Sequence, residues 1–390
     1  MSNDLARHYA RFRVSERMLL TGHSHQAWPD VSFDAQQRAW LDAAELVDGK
    51  WHRAADQAER VRDGFRRLLG DPDGDIALAQ NTHEAVTRLL SALPLATRPA
   101  LVTTGGEFHT IRRQLDRLQE AGISVLKAAA RPADTLADRV ASLVDDRTAC
   151  VLVSSVLYET AEIVTGLDRI ARACDRHGAT LLVDAYHQLN VVPFHIRALG
   201  LERAFVTGGG YKYCQLGEGN AFLRVPPGCA LRPVLTGWFS EFASLEETPS
   251  DGRVLYGAGA ARWAGATYDP TAHYRAAAVF AFHAEQGLTA DRLRAISLHQ
   301  VGLLERELEA LDLDPSFARV EPLAPERRAG FLAVRTRFAG ELCEGLRSRG
   351  VLTDFRADRL RLGPAPYLSD AQLRDAIRAV GELRDRLPER

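Results

Sequence analysis

The chain has 390 residues, 46% of them hydrophobic and 26% charged, with a formal net charge of −2. This length and composition are ordinary for a globular protein with one large domain and a smaller one. The near-neutral charge gives no reason to expect nucleic-acid or membrane-surface binding, and no run of about 18 apolar residues predicts a transmembrane helix.

The N-terminus and the cysteines both favour a cytoplasmic location. The first residues, MSNDLARHYARFRV, lack the apolar core and small-residue cleavage site of a secretory signal. The five cysteines have neither paired spacing nor a zinc pattern, so we expect reduced thiols and no metal site. They are Cys150, Cys174, Cys214, Cys229 and Cys343.

Residues 1–50 are predicted to form an arm that joins the small domain, with a short helix and then a loop from Thr21 to Asp30. An amphipathic helix follows from Trp51 to Leu69. Short apolar runs then alternate with amphipathic segments up to residue 270, which predicts a large α/β domain with a mostly parallel sheet and helices on both faces. The predicted strands are Leu101–Thr104, Ser124–Lys127, Cys150–Ser154, Thr180–Asp184, Ala204–Thr207 and Ala221–Val225, and helices between them include Ile111–Ala121, Leu136–Val144 and Leu167–His177.

Residues 271–390 are predicted to form a smaller, separate α+β domain, because the alternation of strands and helices changes after residue 270. Its last helix begins at Ser369 with a Ser-x-x-Gln capping box. The other predicted elements are helices around His273–Gln286, Leu298–Leu311 and Gly340–Arg349 and strands Gly330–Arg335 and Leu360–Leu362.

Two residues at predicted strand ends suggest a cofactor. Asp184 directly follows the apolar run LLV, and open α/β sheets bind ligands at the carboxyl ends of their strands. Lys212 lies in the glycine-rich segment GGGYKYCQLGEGN, where flanking tyrosines would desolvate its amine and lower its pKa. Such an acid and such an amine are what pyridoxal 5′-phosphate (PLP) requires, to keep its ring nitrogen protonated and to form a Schiff base. The alternatives are a surface turn for Asp184 and a solvated loop lysine for Lys212.

With these motifs the chain resembles the fold-type-I PLP enzymes of the class V aminotransferase superfamily, and within it kynureninase. The matching segments keep the family's order between about residue 20 and residue 367. They are Asp184-Ala-Tyr-His187, Tyr211-Lys212-Tyr213, Gly237-Trp238-Phe239 and Arg361-Leu-Gly-Pro-Ala-Pro-Tyr367. The resemblance implies a PLP-binding domain at residues 51–270, a homodimer, and an amino acid as the small-molecule substrate.

The resemblance also assigns the cofactor's contacts. Asn81 and Thr82 open a helix whose N-terminus would hold the phosphate, and Tyr211 would donate its hydroxyl to the same group. Phe108 would stack on the pyridine ring, and His187 would contact the ring oxygen or shape the substrate pocket. A plain helix cap, a core phenylalanine and a half-buried structural histidine are the alternatives.

Further roles concern the substrate and the second subunit. Arg361 would bind the α-carboxylate, which suits a planar guanidinium, unless it is an ordinary surface arginine. His23 and Ser24 would lie on the substrate side. Trp238 is assigned to the cofactor site, and Thr267 would reach the phosphate across the dimer interface.

Two segments depart from kynureninase and concern the substrate. His23 replaces the asparagine of the family's Gly-Asn-Ser motif, and the segment from Arg262 to Pro270 lacks the asparagine of its Asn-Pro-Pro motif. Three functions are therefore weighed: kynureninase-like hydrolytic cleavage of a Cβ–Cγ bond, with Lys212 removing the α-proton; transamination, β-elimination or another class V reaction; and a PLP fold kept only for binding. A cysteine desulfurase is disfavoured because Cys343 lies inside a helical pattern, and GGGYKY matches no nucleotide-binding motif.

Overall fold

The computed structural model describes residues 3–246 and 252–387. The strands are β1 (Met18–Leu19), β2 (Asp75–Ala79), β3 (Ala100–Thr104), β4 (Ser124–Ala128), β5 (Thr148–Ser154), β6 (Thr180–Asp184), β7 (Phe205–Gly209), β8 (Ala221–Val225), β9 (Arg319–Val320), β10 (Leu332–Arg335), β11 (Val351–Leu352), β12 (Asp354–Arg356) and β13 (Arg359–Leu362). The α-helices are α1 (Val31–Leu46), α2 (Lys50–Leu69), α3 (Thr82–Ala92), α4 (His109–Glu120), α5 (Leu136–Ser142), α6 (Leu167–His177), α7 (Thr271–Glu285), α8 (Ala290–Glu309), α9 (Ala339–Arg347) and α10 (Asp370–Arg384).

A seven-stranded sheet in the order β2-β8-β7-β6-β5-β3-β4 forms the centre of the larger part of the molecule. The pairs from β7 to β4 are parallel, and β8 runs antiparallel to both of its neighbours. Alternate residues of these strands enter two separate apolar cores: Val151 packs with α2, α5, α6 and α7, whereas Leu152 packs with α3 and α4. The mostly parallel sheet with helices on both faces is therefore confirmed.

The predicted strands of this sheet all occur, but two further elements were not predicted. Strand β2 reads DIALA, and its two alanines and its aspartate are poor strand formers, so its pairing with β8 is what defines it as a strand. Helix α1 buries little more than Ala39, Ser32 and Asp42 and leaves Trp40 72% exposed, so its sequence has no clear apolar stripe.

A further core, that of the smaller part of the molecule, holds the C-terminal elements and the N-terminal arm together. It contains Tyr9, Val14 and Leu20 of the arm, packed with apolar residues of α8, α9, α10, β10 and β13. The antiparallel sheet of this part has the order β12-β13-β10-β9, and β1 of the arm pairs with β11 in parallel. The arm therefore belongs structurally with the smaller, C-terminal part.

Helix α7 marks the boundary between the core of the large sheet and the core of the smaller part. Ala276, Val279 and Phe280 lie in the core of the large sheet, and Tyr274 donates its hydroxyl to Asp42 of α1 at 2.9 Å. Only Phe282, near its end, enters the smaller core. We therefore propose that the large domain includes α1 and α7 and that the small domain begins after α7, instead of at residue 271. In the described ranges no helix is long and apolar enough to cross a membrane.

Candidate active site

The register of the central sheet brings the sequence-predicted cofactor residues to one edge. Ala79, the last residue of β2, lies opposite Ala221, which in turn lies opposite Gly209 at the end of β7. Asp184, at the end of β6, lies opposite Thr207 of β7. Because adjacent strands are about 5 Å apart, the start of α3, the turn after β7 and Asp184 meet within a few strand widths.

Lys212 lies in the turn after β7 and is almost fully buried. Its Nζ is 2.6 Å from Nε2 of His187, and it lies 4.8 Å from the ring centroid of Tyr186 and 5.2 Å from that of Phe108. The chain can approach this closely because of Gly209, where a Cβ would lie 2.5 Å from the Tyr186 hydroxyl. Burial lowers the pKa of the Lys212 amine well below its ordinary value, so much of it is uncharged near neutral pH.

The Asp184 carboxylate is buried and accepts the backbone N–H of Tyr186 at 2.9 Å. Burial raises the pKa of this carboxyl group, an effect that the Tyr186 hydrogen bond and the Lys212 charge partly oppose. A cation placed beside this group would therefore stabilise its ionised form. The protonated pyridine nitrogen of PLP is such a cation.

His187 completes the group around the amine. Burial, followed by the Lys212 charge, lowers the pKa of its imidazole well below the ordinary value, so the ring is neutral. In the tautomer in which Nε2 accepts from the Lys212 amine, Nδ1 carries the ring hydrogen. Within the described residues this Nδ1 is buried without a partner. A cofactor oxygen is the kind of acceptor that it lacks.

The start of α3 has the features of a phosphate site. Asn81 caps the helix by accepting the backbone N–H of Glu84 at 3.0 Å, and the remaining free N–H groups of the first turn carry partial positive charge. The hydroxyl of Thr82 is buried and has no hydrogen-bond partner in the described part of the chain. An unsatisfied buried hydroxyl at a helix N-terminus fits the phosphate of PLP.

We expect Thr82→Val to weaken PLP binding about tenfold, because one charge-assisted hydrogen bond contributes roughly 1.5 kcal/mol and the shape of the side chain is kept. The dissociation constant can be measured by fluorescence titration of the cofactor-free protein. Thr87→Val, one turn and a half further along α3, is the matched control, since the Thr87 hydroxyl bonds only to helix carbonyls. Equal affinity for the Thr82 variant and the wild type would contradict this role.

Aromatic rings enclose the amine. Phe108 is half-buried and meets Tyr158 edge to face, with ring centroids 5.3 Å apart. The ring of Tyr211 lies between Tyr186, at 4.8 Å, and His25, which stacks on it at 4.8 Å with an interplanar angle of 19°. The rings of Phe108 and Tyr186 thus exclude water from Lys212, which is the physical cause of its depressed pKa.

Glu107, which precedes Phe108, is a buried acid that the sequence motifs did not single out. Its carboxylate accepts hydrogen bonds from the hydroxyls of Ser154, at 2.6 Å, and Thr104, at 2.5 Å. Burial raises the pKa of this group to about 7. It joins the ends of β3 and β5 and so supports the segment that carries Phe108.

On the substrate side, Arg361 is joined to a partner that was not predicted. Its Nε and Nη2 donate to the two carboxylate oxygens of Asp354 at 2.8 and 2.5 Å, and its Nη1 donates to the backbone carbonyl of Tyr158 at 2.8 Å. His23 is completely buried, and its Nε2 lies 2.8 Å from Asp354. The structure therefore brings Arg361 and His23 together, through Asp354.

Ser24 lies outside this cluster. Its hydroxyl contacts Nδ1 of the neighbouring His25 at 3.2 Å, and His25 is the residue that stacks on Tyr211. Ser24 therefore adjoins the lysine turn only through His25.

Trp238 and Thr267 form a separate pair. The Trp238 indole N–H donates to the Thr267 hydroxyl at 3.3 Å, and both residues line a pocket of about 1310 Å³. Gln80 and Glu84, beside the start of α3, also line it, but of the described residues around this pocket none is Lys212, Asp184 or His187. Within one chain, therefore, Trp238 and Thr267 do not share a pocket with Lys212.

The N-terminal arm supports the lysine turn from behind. The Tyr9 hydroxyl donates to Oε1 of Gln215 at 2.6 Å, and Nε2 of Gln215 donates to Gln26 at 2.8 Å. The backbone N–H of Gln215 donates to the carbonyl of Lys212 at 3.1 Å, and that of Gln26 donates to Tyr211 at 3.3 Å. The arm thus contacts the lysine turn of the large sheet, and Arg361 of the C-terminal hairpin contacts the large sheet through Tyr158. Three segments therefore contribute to one site.

A desolvated lysine, a strand-end carboxylate and a helix N-terminus on one edge of a mostly parallel sheet define a PLP enzyme of fold type I. Residues 45–305 match the family described as aminotransferase class V, and residues 293–380 match the kynureninase C-terminal domain. The chain belongs to the class V aminotransferase family, and its cofactor is PLP. The fold class, the cofactor and the likeness to kynureninase expected from the sequence are confirmed.

Curated relatives include the kynureninase of Bacillus thuringiensis subsp. konkukian, 30% identical over 236 residues, which is 58% of this chain and 52% of that protein. The chain thus spans about half the length of the kynureninases that it matches. An uncharacterized aminotransferase of Bacillus subtilis, YcbU, is 24% identical over 342 residues, or 87% of each chain.

Solved structures share the fold over nearly the whole chain. The cystine C-S lyase C-DES, in complex with its reaction product cysteine persulfide, has a TM-score of 0.80 at 17% identity and covers 95% of this chain and 98% of its own. A cysteine desulfurase from Thermococcus onnurineus NA1 has a TM-score of 0.79 at 15% identity and covers 96% of each chain.

Proposed function

We propose that this PLP enzyme acts on an amino acid by kynureninase-like hydrolytic cleavage of its Cβ–Cγ bond. The observation that carries the proposal is the buried amine of Lys212, 2.6 Å from a neutral His187 and on the same strand edge as Asp184. The kynureninase C-terminal match and the kynureninase relatives support the choice of reaction.

The chain's own residues have distinct tasks in this reaction. PLP, when bound, supplies an electron sink for the α-carbon of the substrate. The uncharged Nζ of Lys212 takes the α-proton and holds it while water adds to the side-chain carbonyl carbon and the Cβ–Cγ bond breaks. The Asp184 carboxylate, at the end of β6, would stabilise the positive charge of the cofactor's protonated ring nitrogen. The aromatic rings around Lys212 keep bulk water away from the amine, so that its proton returns to the amino-acid fragment.

The test is to incubate the PLP-loaded protein with kynurenine and with 3-hydroxykynurenine. We expect anthranilate or its 3-hydroxy derivative together with one equivalent of alanine, measured by chromatography. The Lys212→Ala variant is the blank. The absence of both products from an enzyme that carries PLP would contradict the proposed reaction.

Transamination is the second candidate, favoured by the 87% coverage of the Bacillus subtilis aminotransferase and by His23, which replaces the family's asparagine. It needs the same lysine, carboxylate and phosphate site and no further residue. The appearance of pyridoxamine phosphate after addition of an amino acid, without loss of its side chain, would decide for it.

We further propose that the protein is a homodimer in which a second copy covers the pocket beside Trp238. Large apolar side chains are exposed around it: Trp238 at 43%, Leu235 at 56% and Phe242 at 57%. A contiguous exposed apolar surface of this kind favours protein contact. Thr267, in the same pocket, would then face the phosphate site of the partner, as the family resemblance implies.

Phe242→Asp is expected to shift the protein from a species of twice the chain mass towards the monomer, since it places a charge in an apolar interface. Light scattering at micromolar concentration measures the mass, and cofactor content should fall with it. Leu298→Asp, an exposed residue of α8, is the control. A wild-type protein that is monomeric at this concentration would disprove the shared site.

A further inference from the structure

The hairpin of β12 and β13 sets Asp354 directly opposite Arg361. Residues that face each other across antiparallel strands project from the same side of the sheet, so the carboxylate and the guanidinium meet without any longer-range folding event. The loop of this hairpin is Ala357-Asp358, and the register continues through the pair Arg356 and Arg359. The Asp354–Arg361 pair is therefore built into the hairpin itself.

The hydrogen bonds of Arg361 leave two of its N–H groups unused. Of its five N–H groups, three are taken: Nε and one on Nη2 by Asp354, and one on Nη1 by the carbonyl of Tyr158. In the described residues the structure gives it no other acceptor. The two that remain, one on Nη1 and one on Nη2, are enough to donate two hydrogen bonds to a carboxylate.

His23 contacts Oδ1 of Asp354, the same oxygen that accepts from Nε of Arg361. A carboxylate only accepts, so Nε2 of His23 donates to it at 2.8 Å. Burial lowers the pKa of His23 to about 4, so the ring is neutral, and it packs on Phe331 with centroids 4.7 Å apart. The histidine that distinguishes this chain from kynureninase therefore contacts Asp354 directly.

Asp354 is the acid next to two arginines, Arg361 at 2.5 Å and Arg356 at 3.9 Å. Although burial opposes it, the hydrogen bonds from His23 and Arg361 hold the pKa of Asp354 well below its usual range, so the group stays ionised. Arg361 and Asp354 act on the Lys212 amine with opposite signs. Asp354 thus offsets a buried positive charge that would otherwise act on the lysine.

We propose that Asp354 is a positioning residue, which with His23 fixes Arg361 so that its remaining N–H groups on Nη1 and Nη2 bind the carboxylate of the amino-acid substrate. Tyr158 sets the third contact, which ties the hairpin of the small domain to the large one. The proposal rests on the proposed function, because it assumes an amino acid as substrate.

The test compares two ligands that differ in the carboxylate. The PLP-loaded protein is titrated with L-alanine and with ethylamine, which lacks that group, and binding is followed by the change in cofactor absorbance. In Asp354→Asn we expect the affinity for L-alanine to fall about tenfold, since roughly one charge-assisted bidentate contact is lost. The affinity for ethylamine should fall less than that for L-alanine, because ethylamine is exposed only to the effect of Asp354 on Lys212 and has no carboxylate to lose a contact.

Two variants make this result specific. Asp354→Glu keeps the charge and should restore part of the preference for L-alanine, and it also serves if the asparagine variant does not fold. Asp358→Asn, in the loop of the same hairpin and paired with Arg335 and Arg359, is the matched control and should behave as wild type. An unchanged preference in Asp354→Asn, or equal weakening for both ligands, would overturn the proposal.

A second readout needs no cofactor. In the cofactor-free protein the Nε–H resonance of Arg361, identified by its loss in Arg361→Lys, should move in Asp354→Asn and stay in place in Asp358→Asn. An unmoved resonance would overturn the positioning role. Failure of the wild type to take up PLP would instead overturn the proposed function, so the two failures are distinguishable.

Discussion

Replacing Lys212 with alanine is expected to remove the absorbance band of the Schiff base between PLP and the lysine and to lower turnover of an amino acid by about 10³-fold, the contribution of a well-placed general base. The reason is that the buried amine is both the attachment point of the cofactor and the base for the α-proton. The cofactor should still bind without a covalent bond, because the start of α3 is untouched. Stopped assays with the substrate and an absorbance spectrum measure both effects.

The composition of the chain makes this prediction easy to check chemically. The sequence contains three lysines, Lys50, Lys127 and Lys212. Lys127 is paired with Asp116 at 2.5 Å on the surface, so Lys127→Ala is a suitable control. Borohydride reduction of the PLP-loaded protein, followed by peptide mapping, should attach the cofactor to the Lys212 peptide. Label on either of the other lysines, or turnover retained by Lys212→Ala, would contradict the assignment.

Asp184→Asn is expected to lower turnover about 10²-fold while PLP stays attached to Lys212. The amide keeps the shape of the side chain, and its oxygen can still accept the Tyr186 N–H. What is lost is the negative charge that stabilises a protonated pyridine nitrogen, and with it the capacity of the ring to accept electrons. Steady-state rates measured at equal PLP occupancy isolate this effect from cofactor loss.

A surface aspartate provides the control for that experiment. Asp175 of α6 is paired with Arg203 and lies far along the helix from the strand ends. Asp175→Asn should leave the rate unchanged. If Asp184→Asn retained more than about a tenth of wild-type turnover, the role given to this carboxylate would have to be abandoned.

The strand-end residues were predictable because their positions are encoded locally. Asp184 directly follows an apolar run and Lys212 follows another by a few residues, and runs of that kind form the buried parallel strands β6 and β7. Asn81 and Thr82 were predictable for a similar reason, because the residue types preferred at a helix N-terminus can be recognised in the sequence. Their proposed contacts with PLP stay predictions.

Other parts of the site depend on contacts between distant segments. The role of Asp354 can be recognised only from the hairpin register and from the contact between Arg361 and the Tyr158 carbonyl. These two residues are 203 positions apart in sequence. Glu107 likewise depends on Ser154, 47 residues further on. The alternation of charged and apolar residues from Asp354 to Arg361 was a usable signal for the hairpin, but no local pattern indicates which carboxylate meets which guanidinium.

Trp238 and Thr267 illustrate a third case. The chain brings them together, yet at a pocket whose described lining does not include the lysine. Motif order alone assigned both to the cofactor site, and geometry within one chain does not decide that assignment. The oligomeric state is therefore the measurement on which their role depends.

The hydrogen bond from Tyr9 to Gln215 makes the beginning of the chain a working part of the cofactor site. Gln215 is three residues from Lys212 in sequence, so a change in the arm reaches the lysine turn through this bond. We therefore expect an affinity tag that displaces the arm, or a protease cut before Trp28, to disturb the turn that carries the PLP lysine. Backbone amides of the lysine turn should then exchange with deuterium faster. Purified protein that binds PLP poorly should first be checked for an intact arm.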